Sequence, residues 1–353
     1  MKALLVSFND AVGIKVLYCL SQSCETVDVA VRSGGSGLRF SRHTRDFITL
    51  PSVDGSLDVD AAVAALNAHI ESRSIDVLIP DYQVSMAFLH DNASRLAAPV
   101  FAPTKMETMD HIHNKWSFYE TLRDAGLATP RTILLSARDE LTPDFVEEVG
   151  FPLLVKPLEG EAGHGIMTFD DFAALERYLS TPGPYRDLPL LLQQHIPGVD
   201  IDYSAVKLDG RVLAYDVVEH GDFDVRLFRD EPRVAQLGES ILKAFDYDGV
   251  AHIDMRIDKR NGEVLAIECN PRFWFTVTAS LWQGTNFPAL AVRAALGEEV
   301  PQATTKPGQY YLPSHVLRNL ATPWRLGSMS RQNWRGFFQA VGDPLPHLMS
   351  KFH

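Results

Sequence analysis

Hydrophobic and polar residues change period several times along this chain, and each change predicts a different kind of element. Short apolar runs at residues 3–8, 27–31, 47–50 and 76–80 alternate with helical spacing at 9–21 and 59–72. This βα rhythm predicts an open parallel sheet, whose ligands lie beyond the carboxyl ends of the strands. Asp10, Arg32 and Asp81 fall just after such ends. They are candidates to touch a substrate, set against the reading that they are ordinary polar loop residues. A linker at 99–104 precedes a helix expected from Met106 to Ala125, stopped by Gly126. From Ile133 the pattern becomes α+β: helix 143–149, strand 153–156, a glycine loop at 159–165 and helix 169–179. Strands 190–195, 200–208 and 211–219, a charged loop 220–233 and helix 237–245 follow.

The strongest alternation lies between His252 and Arg272. His252, Asp254, Arg256 and Asp258 alternate with Ile253, Met255 and Ile257; Glu268, Asn270 and Arg272 alternate with Ile267, Cys269 and Pro271. Lys259-Arg260-Asn261-Gly262 supplies the turn of a hairpin with one face on a core. Folding it gathers Asp254, Glu268 and Asn270 on the polar face, hard oxygen ligands suited to Mg²⁺. A solvated, charge-laced sheet face is the competing reading.

Composition narrows the class. The chain has 353 residues, enough for two or three domains, with 46% hydrophobic and 22% charged residues, ordinary globular values. No apolar run reaches the ~18–20 residues that span a bilayer. Asn9 and Asp10 interrupt the apolar N-terminus, which is expected to be a first strand rather than a signal sequence. Three cysteines without metal-type spacing point to a reduced, cytoplasmic protein. A net charge of −12 argues against nucleic-acid binding.

A strand with a lysine, Leu153-Leu154-Val155-Lys156-Pro157, leads into a loop of Glu159, Gly160, Glu161, Ala162, Gly163, His164 and Gly165. Glycines let backbone N–H groups approach phosphate, and the lysine adds a point charge. The order is not that of a P-loop, and alone it would equally be a structural turn. With Asn114-Lys115, Gln193-Gln194-His195-Ile196-Pro197-Gly198 and the hairpin, however, residues 1–296 resemble the ATP-grasp superfamily. That superfamily includes D-alanine–D-alanine ligases, biotin carboxylase and carbamoyl phosphate synthetase.

The resemblance implies an α/β and α+β architecture: an N-terminal α/β domain at 1–104, a central domain with an ATP lid at 105–192, and an antiparallel C-terminal lobe at 193–300. An extension of unassigned role follows at 301–353. Lys115 and Lys156 would hold ATP phosphates beneath a lid of Glu159, Gly163, His164 and Gly165. His164 is read alternatively as solvent-facing. Gln193, Gln194 and Ile196 would form the hinge, the last two meeting adenine through their backbones. Family members often carry Glu at the position of Gln193. Asp200 would hold the ribose, with Asp202 as the fallback. Asp254, Glu268 and Asn270 would bind Mg²⁺, or alternatively Mn²⁺, and Arg272 would steady an acyl phosphate. His252 stands where some members have a phosphate-binding arginine, while Cys269 is expected to face the core.

The implied activity is an ATP-dependent carboxylate–amine ligation through an acyl phosphate. Kinase-like phosphoryl transfer and a non-catalytic nucleotide-binding regulator are the alternatives. Expected partners are small carboxylate and amine substrates, with a homodimer as a further option. Arg226, Arg229 and Arg233 are candidates to grip a substrate carboxylate, against a solvated loop. Phe273, Trp274 and Phe275 would line a pocket or pack in the core. From Arg318 to His353 the chain has five basic residues and one acidic residue, interleaved with Trp324, Trp334, Phe337 and Phe338. A helix packed on the ATP domain is expected there, with attachment to an anionic surface as the alternative.

Overall fold

The apolar runs of the first eighty residues pair as parallel strands because intervening segments return the chain to the same end of the sheet. A computed structural model describes residues 1–32, 35–101, 105–158, 160, 163–221, 224–300, 302–326 and 329–350. The first sheet runs Thr44–Thr49, Thr26–Val31, Lys2–Ser7, Val77–Pro80 in parallel order. Alternation along the strand Lys2–Ser7 sends Leu4 and Val6 to helices Val59–Arg73 and Gln83–Asp91, and Ala3 and Leu5 to helix Asp10–Leu20.

The helix expected from Met106 to Ala125 is two helices, Met106–His113 and Lys115–Asp124. Asn114 is extended between them, and its side-chain oxygen accepts the N–H groups of Trp116 and Ser117. An asparagine that satisfies the next helix's free donors competes with helical continuation. The break sets Lys115 at the start of the second helix. Met109, Ile112, Phe118 and Leu122 bury against the large C-terminal sheet. By packing, these helices therefore belong with that sheet and not with the central 105–192 unit.

A small lobe carries antiparallel strands in the order Thr132–Leu135, Leu190–Gln194, Leu153–Pro157, Met167–Phe169, with its own core. The helix expected at 169–179 is Phe172–Ser180, because Asp171 caps it and Phe169 ends a strand.

The large sheet runs Val264–Asn270, Gly249–Asp258, Gly198–Leu208, Arg211–His220, Val225–Phe228, Gly308–Tyr311. Val225–Phe228 lies inside the stretch expected to be a charged loop, and Gly308–Tyr311 carries the sheet past residue 300. Helix Pro232–Ala244 starts five residues earlier than expected, with Pro232 in its first turn and Glu231 as cap. One face of the sheet buries Ile201, Tyr203, Ile253 and Met255 under helices. On the other face, Trp274, Val277 and Phe287 share a core with Leu5, Val12 and Leu17, so N-terminal domain and large lobe pack as one body. Beyond that core the same face is open toward the small lobe, leaving a cleft of about 380 Å³.

The C-terminal segment forms helices Pro313–Asn319, Arg331–Val341 and Pro344–Met349. Phe337 joins Val225, Tyr311 and Val316 in a small core, and Gln339 Nε2 donates to the Tyr18 carbonyl of the N-terminal domain at 3.3 Å. Among the described residues no helix is long and apolar enough to cross a membrane.

Candidate active site

The polar end of the cleft is built by strand register. Asp254 stands opposite Glu268 and His252 opposite Asn270, while Met255 pairs with Ala266. Ile267 is therefore the extra residue of a bulge. Expected on the core face, it instead lines the cleft beside Glu268, while Ala266 and Cys269 are buried. Asn270 Nδ2 donates to Asp254 Oδ2 at 3.1 Å, and Asn270 Oδ1 accepts from Arg272 at 3.3 Å. Burial and the neighbouring Asp254 raise the pKa of Glu268. Burial would raise Asp254 too, but His252 outweighs it and holds the carboxyl down at about 2. Two facing carboxylates and an amide oxygen, the latter brought round by a half-turn of the amide, are a donor set that fits Mg²⁺.

Two buried lysines face these carboxylates. Lys115 Nζ lies 3.4 Å from Glu268 Oε2 and donates to the Gly160 carbonyl at 3.2 Å. Lys156 Nζ donates to Gln193 Oε1 at 2.6 Å, and Gln193 Nε2 donates to Thr132 Oγ1 at 2.9 Å. Burial lowers Lys156 to about 8, against the pull of Glu268. Beyond Lys156, Gly160, Gly163 and Gly165 all have positive φ. A Cβ on Gly165 would stand 2.6 Å from the Tyr185 ring. His164 is exposed. Glu159 lies outside the described residues, as do 161 and 162.

The hinge follows the last strand of the small lobe. The Gln194 N–H is donated to the Arg131 carbonyl at 2.9 Å. No described carbonyl takes the Ile196 N–H. Asp200 lines the cleft, half-exposed, with Arg256 at 3.4 Å. Asp202 is buried and held by His220 Nε2 at 2.5 Å, so it is committed to the protein.

Several participants carry no motif of their own. Tyr82, from the N-terminal domain, lies under the Arg272 guanidinium at 4.4 Å. His252 stacks on Trp274, with ring centroids 5.3 Å apart, and Asp202 and Asp254 raise its pKa despite burial. Thr132 and His220 complete the partners of Gln193 and Asp202. Period-two parity, which puts His220 on the same face as Asp216 and Val218, was the signal available for His220.

Other candidates serve the protein. Asp81 is fully buried and accepts from Ser7, Ser85 and the Phe8 and Asn9 amides, so it cannot touch a substrate. Asp10 binds Ser36 and the Gly37 amide, and Arg32 reaches the Gly55 carbonyl. Arg229 and Arg233 pair with Glu219 and Glu231, whereas Arg226 stands half-buried near Asp202 and His220. Phe273 and Trp274 are core residues, and Phe275 is exposed.

Residues 112–217 match the family model of the ATP-grasp domain. The arginine-specific large chain of carbamoyl phosphate synthase from Bacillus subtilis (strain 168) is 24% identical over 244 residues, covering 64% of this chain and 23% of that protein. The present chain thus spans about a quarter of that relative's length. Among solved structures, an ADP complex of N5-carboxyaminoimidazole ribonucleotide synthetase superposes with a TM-score of 0.68 at 14% identity, covering 92% of this chain and 85% of that one. The L-amino acid ligase from Bacillus licheniformis gives 0.60 at 18% identity, covering 84% and 74%. The chain has the ATP-grasp fold, and the match to the ATP-grasp family model lies within it at residues 112–217.

Proposed function

We propose that this protein is an ATP-dependent carboxylate–amine ligase that forms an amide or peptide bond on a small molecule. The observation that carries the reading is the convergence of Lys115 and Lys156 on Glu268, itself paired with Asp254, at the polar end of one cleft. Cations and acidic metal ligands in one place are what a transferring phosphoryl group requires. Lys115 and Lys156 would hold the phosphates. Asp254, Glu268 and Asn270 would hold Mg²⁺, which when bound offsets the negative charge of the phosphate oxygens. The Gln194 carbonyl and Ile196 N–H would meet the adenine edge, and Asp200 the ribose. The glycines at 163 and 165 would let the lid close over the phosphates and exclude water.

In this reading a substrate carboxylate oxygen attacks the γ-phosphorus of ATP, and the bond to ADP breaks. Arg272, braced by Tyr82, would steady the acyl phosphate oxygens. A neutral amine then attacks the carbonyl carbon, the C–N bond forms and phosphate leaves. The activity belongs to a reducing, cytoplasmic compartment, with which free Cys19, Cys24 and Cys269 agree.

An ADP-release screen of amino acids and other carboxylates, each with and without amines, tests the reading. The ligase requires ADP release that depends on both partners. Release with an acceptor alone and no amine would make it a kinase-like transferase. ATP binding without turnover across the panel would make it a nucleotide-binding regulator. An Asp254→Asn/Glu268→Gln variant as fast as wild type would remove the metal assignment.

A further inference from the structure

The segment after helix Phe172–Ser180 of the small lobe contains a turn whose backbone is fixed in detail. Arg186 lies 4.1 Å over the Tyr178 ring, and its Nη1 donates to the Tyr178 and Thr181 carbonyls at 3.2 and 2.8 Å. Arg138 in turn donates to the Arg186 carbonyl at 3.4 Å. Gly183 leaves room for the arginine, since a Cβ there would stand 2.9 Å from Arg186 Nε. One side chain thus closes residues 183–186 onto the end of the helix.

What this turn presents is Tyr185. Its φ is +59°, a left-handed conformation that is unfavourable for any residue with a Cβ. The residue is 48% exposed, so burial does little to offset that strain. Its side chain touches the glycine loop instead. A Cβ built on Gly165 would stand 2.6, 2.7 and 2.9 Å from Tyr185 Cγ, Cβ and Cδ1. Strained residues persist only where their surroundings over-determine them, and they gather at ligand clamps and switch regions. Gly165 itself stands in a short turn, closed by the Ile166 N–H donated to the Gly163 carbonyl at 3.2 Å. Ile166 and Thr168 line the cleft beside Lys156, so the contact fixes where this wall of the cleft stands. Among the described residues no atom lies within 4 Å of a Cβ on Gly163. The loop is therefore held at residue 165 and unhindered at residue 163.

We propose that Tyr185 is a positioning residue for nucleotide binding: its side chain pins the glycine loop at Gly165, so that the loop bends at Gly163 and closes over phosphate from one fixed root. This rests on the reading that the loop covers the phosphates of ATP. Without the pin the loop samples more positions, and binding must then order it, which weakens affinity. The atoms that meet Gly165 are Cβ and ring carbons, so phenylalanine can replace tyrosine at the contact.

Amide hydrogen exchange of the nucleotide-free protein, read at residues 163–169, tests the pin directly. Tyr185→Gly removes the ring and the strain together, because glycine accepts this φ. Exchange at Ile166 should become about tenfold faster, while the melting temperature stays at or above that of wild type. Tyr185→Phe should exchange as wild type does. Titration with ATP reads the consequence: binding about tenfold weaker in Tyr185→Gly and unchanged in Tyr185→Phe. Wild-type exchange at Ile166 in Tyr185→Gly would overturn the proposal, whatever happens to ATP affinity. So would exchange as fast in Tyr185→Phe as in Tyr185→Gly, or a melting temperature that falls in step with faster exchange, which would make the residue a support of the fold alone. Faster exchange with unchanged ATP affinity is the failure of the functional reading: Tyr185 would still hold the loop, but the loop would not cover the phosphates.

Discussion

Lys156 Nζ donates to Gln193 Oε1 across adjacent strands at 2.6 Å, so a buried ammonium has a neutral partner where a carboxylate is common in the superfamily. An amide satisfies the lysine's hydrogen bond without cancelling its charge. The charge stays available to a phosphate, and the cost is a pKa lowered by burial to about 8. In nucleotide-free protein Lys156 loses its proton as pH rises through that value, so ATP affinity should fall there. The same depressed pKa means that the unfolded chain binds more protons between about 8 and ~10.4, so this group contributes stability that grows with pH across that window. Gln193→Glu should raise the lysine's pKa and tie it to a carboxylate. The expected result is roughly tenfold weaker ATP binding near neutral pH and an alkaline limb moved upward. Isothermal titration with ATP across the pH range reads both; an unchanged limb would detach it from Lys156.

Arg272 lies over the Tyr82 ring at 4.4 Å and donates to Asn270 at 3.3 Å. Lysine in its place keeps the charge but loses the planar fork and the stacking. Arg272→Lys should lower kcat by about 100-fold while ATP affinity stays within about twofold, because Arg272 acts on the acyl phosphate and not on the nucleotide. Tyr82→Phe retains the ring face and should be nearly silent. Parallel loss of ATP binding in Arg272→Lys would move the arginine to the nucleotide phosphates.

Gly165 has φ +79°, and a Cβ there would meet the Tyr185 ring at 2.6 Å. Gly165→Ala is therefore strained in its backbone and obstructed in space. Stability should fall by about 1–2 kcal/mol, and turnover should fall further as the lid closes less well. Gly163 has a similar φ, but among the described residues no atom lies within 4 Å of a Cβ there, so Gly163→Ala should pay only the backbone part. Chemical denaturation compared with ADP release separates the two effects.

Much of the fold was legible because its strands and helices keep clean periods. The parallel sheet, the Asp254–Glu268 pairing and the inward Cys269 all follow from alternation. What alternation could not carry were local interruptions. Asn114 breaks a helix whose apolar spacing runs straight through it, and a one-residue bulge turns Ile267 to the cleft. Strand Val225–Phe228 was hidden because its polar Arg226 sits among charged neighbours, and its partner Gly308–Tyr311 is 80 residues away. Candidate site residues were nameable from sequence where each belongs to a motif, as with Lys156 or Asn270. Neighbours that meet these candidates only through distant contacts were not, such as Tyr82 under Arg272 or Asp216 behind Ser204 and His252.

The C-terminal helices distinguish packing from surface attachment at single residues. Asn333 is nearly inaccessible: its Oδ1 accepts the Tyr311 amide at 2.6 Å and its Nδ2 donates to the Gln309 carbonyl at 2.9 Å. It thereby ties helix Arg331–Val341 to an outer strand of the large sheet. Asn333→Ala would leave a buried donor and acceptor without partners, a loss of about 2–4 kcal/mol. Phe338, four residues after Trp334 on the same helix, is 61% exposed and should tolerate alanine with a change within about 0.5 kcal/mol. Urea unfolding of both variants measures the difference. If the segment instead served an anionic membrane, Phe338→Ala would weaken co-sedimentation with anionic vesicles, and Asn333→Ala would leave the rest of the fold as stable as wild type. Packing requires the reverse, because the helix covers Tyr311 and Val316 and reaches Tyr18 of the N-terminal domain.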